Sequence, residues 1–71
     1  MKIPQISGKE LVKLLQRQGF VVVRQKGSHI RLEKNTLEGT IKITIPNHSV
    51  LKKGTLHHIL KSTGINPEDI F

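Results

Sequence analysis

Thr40-Ile41-Lys42-Ile43-Thr44-Ile45 alternates polar and branched apolar residues without a break. A period of two belongs to an extended strand, with the isoleucines on one face and Lys42 and Thr44 on the other. Pro46 follows and closes the strand, because it has no N–H to give to a ladder. A strand with one apolar face needs neighbours to pair with and a layer to cover that face, so the rest of the chain must supply both.

The neighbours stand upstream. His29 to Lys34 alternates as well, with Ile30 and Leu32 on one side and His29, Arg31 and Glu33 on the other. Asn35 to Gly39 is rich in loop formers and joins the two runs. Ahead of His29, Gly27 and Ser28 are turn residues by type, Gly because it tolerates positive φ and Ser because its hydroxyl can bond nearby backbone. They separate the His29 run from Phe20 to Gln25, which is β-branched and aromatic enough to be a strand. Its consecutive valines leave the buried face of that strand undetermined. The expected result is an antiparallel meander with one apolar face and one polar, basic face, on which Lys42 and Thr44 lie beside His29 and Arg31.

Two helices are expected to form the covering layer. Ser7-Gly8-Lys9-Glu10 is a capping box, and Ile6 ahead of it can pack on Leu11 as a hydrophobic staple. Leu11, Leu14 and Leu15 then make an apolar stripe, Lys9, Lys13, Gln16 and Arg17 face outward, and Gly19 ends the helix. A second helix is expected from about Thr55, after a loop carrying His48 and Lys52-Lys53, with Leu56, Ile59 and Leu60 repeating the stripe. Gly64 reads as its C-cap, and Asn66-Pro67 starts a last short turn that returns Ile70 and Phe71 to the core. The expected fold is α+β, one domain over residues 1–71. It has a helix, a three-stranded antiparallel sheet and a helix, with both helices on one sheet face. This is the element order of the double-stranded-RNA-binding domain.

Charge bears on the partner. Twelve Lys and Arg against five Asp and Glu give a formal charge of +7, which implies a polyanion, although a solvated basic surface gives the same count. Phe20 and Phe71 are the only aromatics, so an RNA contact should work through phosphate and 2′-OH groups rather than base stacking. Neither helix lines up Arg, Asn or Gln as a base-reading face, so direct DNA binding is not expected. The chain has no Cys, and its longest apolar run, Phe20 to Val23, is far too short to span a bilayer. A cytoplasmic protein without a membrane partner is expected. His57 and His58 are adjacent on a helix, about 100° apart, and no His-Glu-x-x-His motif accompanies them, so no metal or other cofactor is expected.

The chain resembles the HicA toxins. The resemblance rests on Ser7-Gly8-Lys9-Glu10 with Leu14-Leu15 and Gly19-Phe20, on Arg24-Gln25-Lys26-Gly27-Ser28-His29, and on Pro46-Asn47-His48 followed by Lys53-Gly54-Thr55-Leu56 and Ile59-Leu60. It spans nearly the whole chain. It implies a small translation-blocking toxin that cleaves mRNA, has a double-stranded-RNA-binding-like fold, and is silenced by a HicB antitoxin. The family's active histidine maps onto His29.

RNA carries its own nucleophile, so a ribonuclease needs a proton acceptor for the 2′-OH and positive charge for the phosphate. Histidine as a residue type exchanges protons near neutral pH, which suits His29, and Arg31, Lys42, Lys26 and Arg24 can stabilise charge on the phosphoryl oxygens. Gly27 and Ser28 are RNA-binding candidates beside His29, although Ser next to Gly is also an ordinary turn. Lys52 and Lys53, ahead of a helix N-terminus, are a candidate phosphate clamp, and His48 is a candidate second proton-transfer group. An acidic antitoxin covering this face would mask His29. Plainer readings stand beside these: an exposed strand histidine, a loop histidine, a solvated lysine pair. At the level of the whole chain the alternative is a non-catalytic RNA-binding module of the same fold, or a protein-interaction domain.

Overall fold

In the computed structural model, which describes residues 4–71, the chain enters its first helix through the expected capping box. The Glu10 N–H donates to Ser7 Oγ at 3.1 Å and the Ser7 N–H to Glu10 Oε1 at 3.2 Å, which satisfies two of the backbone donors a helix start leaves open. Ile6, ahead of the cap, and Leu11, in the fourth helical position, are both buried in the core, as the staple requires. Helix α1 runs Gly8–Arg17 and buries Leu11, Val12 and Leu15. Leu14, expected in the stripe, is only half-buried at its margin, because the sheet is met by the face through positions 11, 12 and 15.

Three strands follow: β1 (Val21–Lys26), β2 (His29–Thr36) and β3 (Gly39–Pro46). They form one antiparallel sheet in the order β1-β2-β3. Both connections are two-residue turns. In the first, Gly27 at the leading position has φ +58°, the sign that the hairpin turns matching strand twist require there. The register sets Ile30 opposite Ile45 and Leu32 opposite Ile43, so the apolar positions of the two alternating runs share one face, as expected.

Helix α2 (Lys53–Thr63) begins two residues ahead of the expected start, with Lys52 as an N-cap that makes no side-chain cap bond. Gly64 closes it in the left-handed conformation, with φ +71°. A 3₁₀ turn (Pro67–Asp69) follows, capped by Asn66 Oδ1 accepting the Glu68 N–H at 3.1 Å, and Ile70 and Phe71 return against the core. Both helices pack on the same sheet face: α1 lies over β1 and β3, and α2 lies against β3. One core results, in which Ile30, Leu32, Ile43 and Ile45 of the sheet meet Leu11, Val12 and Leu15 of α1 and Leu56, Ile59 and Leu60 of α2. This is the α+β arrangement of the double-stranded-RNA-binding domain.

The entry to α1 is locked to the end of β3. The Gly8 N–H donates to the His48 carbonyl at 2.9 Å and the Leu51 N–H to the Ile6 carbonyl at 2.8 Å. Gly8 is buried so closely that a Cβ there would collide with the Pro46 carbonyl oxygen and meet Asn47 Cα at 3.1 Å. Both obstacles are backbone and cannot rotate aside. Gly54, in the first turn of α2, is the opposite case, with nothing within 4 Å of an added Cβ. Gly8→Ala should therefore lower unfolding stability by about 1–3 kcal/mol through overpacking, while Gly54→Ala should raise it by about 0.4–1 kcal/mol through the unfolded-state entropy it removes. Urea denaturation of the two variants against the parent checks both signs.

Candidate active site on the free sheet face

Because side chains alternate along a strand, covering one face of this sheet with helices leaves the other face to the polar positions. On β2 these are His29, Arg31 and Glu33. On β3 their cross-strand partners are Pro46, Thr44 and Lys42 in that order. On β1 they are Lys26, Arg24 and Val21.

The β1 side depends on an irregularity. Val21 opposes Glu33 and Val22 opposes Leu32 in ordinary alternation, and the ladder then slips so that Arg24 opposes Arg31, leaving Val23 with no cross-strand partner. Such a β-bulge inserts one residue and changes the phase of everything after it. With a period of two unbroken, Arg24 and Lys26 would share the helix-covered side with Val22. With the bulge they stand on the face of His29. The same arrangement explains the exposed Val21 and Val23, 60% and 49% accessible, while Val22 packs against the core.

Arg24, Lys26, His29, Arg31 and Thr44 line one open concavity of ≈ 230 Å³, and all five are exposed. None of the five carboxylates of the chain lines it. Glu10 is held in the α1 cap, Glu38 sits in the β2–β3 turn, and Glu68 and Asp69 are in the 3₁₀ turn. Glu33 lies farther along the face, between Val21 and Lys42. Three cations thus share one open concavity with an accessible imidazole, and no carboxylate lines it.

The remaining sequence candidates take different places. Gly27 and Ser28 form the turn next to His29, and the Ser28 carbonyl accepts the Asn47 N–H at 2.6 Å, which ties the His48 loop to that turn by its backbone. The His48 side chain is exposed and does not line the His29 concavity. Lys42 shares the face but opposes Glu33. It is four residues from Pro46 along β3, or about 13 Å at the usual strand rise, so it stands beyond Arg31 rather than beside His29. Lys52 and Lys53 line a separate and larger concavity with Pro4, Gln5, Val50, Leu51 and Leu56. Its walls carry no histidine and no carboxylate. His57 and His58 lie on two different grooves of α2, and no three His, Cys, Asp or Glu side chains cluster to hold a metal among the described residues. Arg24 is the residue whose place the sequence leaves least visible, since only the bulge decides its face.

The family model described as HicA toxin of bacterial toxin-antitoxin matches residues 8–65. That span is more than four fifths of the chain, runs from the first residue of α1 past the end of α2, and includes the whole site. No curated protein and no solved structure matches the chain.

The placements separate the two lysines of the face. Titrated with a single-stranded oligodeoxynucleotide as a plain polyanion, Lys26→Ala should lower the log–log salt slope by about 0.7, the value of one neutralised phosphate. Lys42→Ala, whose charge already faces Glu33, should lower it by less than half of that.

Proposed function

The chain belongs to the HicA toxin family of bacterial toxin-antitoxin systems, and on that premise we propose that it is a metal-independent endoribonuclease. It cleaves mRNA and so blocks translation, with His29 as the general base. The observation that supports this reading is the place of His29: first residue of β2, accessible, and in one concavity with Arg24, Lys26 and Arg31. An exposed histidine alone carries little weight. An exposed histidine amid three cations with no neutralising acid has the two things RNA strand scission needs.

In the proposed reaction His29 accepts the proton of a ribose 2′-OH, and the 2′-oxygen attacks the adjoining phosphorus. The bond from phosphorus to the 5′-oxygen of the next nucleotide breaks, leaving a 2′,3′-cyclic phosphate. The departing oxygen leaves as a 5′-hydroxyl after taking a proton from water or from His48, whose loop is anchored at Ser28. Charge that accumulates on the non-bridging oxygens is met by Lys26 and Arg31, and the Gly27-Ser28 turn lets the RNA backbone approach. Lys42, Lys52 and Lys53 extend the phosphate track away from the reacting bond. The scheme calls on no metal ion or cofactor.

The family implies an antitoxin. We assign it as a HicB-like protein that lays an acidic surface over the basic sheet face and masks His29, since a site this open is readily closed by covering it. No helix among the described residues is long and apolar enough to cross a membrane, and an mRNA substrate places the working protein in the cytoplasm.

Removing a positioned general base costs on the order of 10²–10⁴ in rate. Cleavage of a labelled transcript in EDTA should therefore fall by at least about 10²-fold in His29→Ala, with circular dichroism confirming that the variant is folded. Equal cleavage by both proteins would remove His29 from the mechanism. Binding without cleavage by either would make the chain an RNA-binding module.

A further inference from the structure

Arg24 and Arg31 are direct cross-strand partners, which sets their Cβ atoms about 5 Å apart and makes them a like-charge pair of the kind that destabilises a sheet. They share a face because β1 is bulged at Val23, a departure from the regular ladder that turns Arg24 from the covered side to the open one. No carboxylate lines the concavity that the two arginines share, and the one on this face, Glu33, stands two residues beyond Arg31 and opposite Lys42, so no acid is set between the two guanidinium groups. β1 is moreover an edge strand, so Arg24 can be approached from the side as well as from above.

We propose that Arg24 and Arg31 form a phosphate clamp, built by the Val23 bulge, that grips one phosphodiester of the RNA between two guanidinium groups. Planar guanidinium forks bind phosphate oxygens in pairs and remain charged throughout, and an anion shared between them converts their repulsion into binding. Arg31 and His29 are two residues apart on one strand face, about 7 Å, so a phosphate held in the clamp leaves the neighbouring ribose to the imidazole. The clamp deepens the ribonuclease reading and rests on it only for the identity of the anion as RNA; an anion site at this pair stands without any cleavage.

Inorganic phosphate and an uncleavable single strand probe it separately. In low-salt buffer without phosphate, Arg24→Ala should melt at a higher temperature than the parent, because it removes the repulsion. Added phosphate should raise the melting temperature of the parent but not that of Arg24→Ala. Arg24→Lys keeps the charge but not the fork, so it should melt like the parent and gain less from phosphate. In a His29→Ala background, single-stranded RNA affinity should fall about tenfold on losing either arginine, the cost of one charge-assisted contact. Losing both should cost less than the product of the two single losses, because one phosphate is shared.

Phosphate stabilising Arg24→Ala as much as the parent overturns the clamp. So does RNA affinity that ignores Arg24 while binding of an acidic protein depends on it, which would assign the pair to a protein interface. Arg24-dependent phosphate and RNA binding in a parent that cleaves nothing supports the clamp and instead overturns the ribonuclease reading.

Discussion

Burial of one sheet face under two helices is the constraint on which the rest of this structure depends. The described residues form one core, and Ile30, Leu32, Ile43 and Ile45 must all be committed to it. Strand alternation then leaves His29, Arg31, Lys42 and Thr44 facing away. The polar face that carries His29 is therefore the complement of the core, and a slip of one residue in β2 would lose both together. The lock between Gly8 and the end of β3 serves the same end, because it fixes the helix layer to the strand end at which His29 stands.

Where local chemistry and global fold agree, the sequence could be read directly. The capping box at Ser7 and Glu10, the two alternating strands, the turn at Gly27 and the left-handed Gly64 each carry a residue-level cause that the structure reproduces. The expectations that shifted lacked such a cause. Lys52 offers no side-chain oxygen to mark a helix start, so α2 begins two residues early. Three successive valines fit either face of a strand, and only the bulge at Val23 decides that Val22 turns inward. Alternation also assigned Lys42 to the right face without fixing its partner, which the register shows to be Glu33.

Those differences change the picture of the site. The cations around His29 come from β1 as much as from β2, and Arg24 and Lys26 are there because a regular ladder was interrupted. A bulge beside a reactive residue re-aims side chains that the strand would otherwise bury. In this sheet it adds Arg24 and Lys26 to the Arg31 that alternation already sets beside the imidazole, while the carboxylates are held at a helix cap, in a turn, at the C-terminal end and opposite Lys42. Membership of the HicA toxin family gives the fold a biological setting, that of a toxin with an antitoxin partner.

In the proposed reaction this face breaks RNA by using the substrate's own 2′-oxygen, with His29 taking its proton. The identity of the cut ends tests it most directly. Mass spectrometry of the fragments released from a short RNA in the presence of a chelator should find 2′,3′-cyclic phosphates paired with 5′-hydroxyls, and a strand carrying 2′-deoxyribose at the cut position should stay whole. Fragments ending in 3′-hydroxyl and 5′-phosphate, or scission of the deoxy-substituted strand, would mean that water and not the ribose is the nucleophile, and would contradict the account.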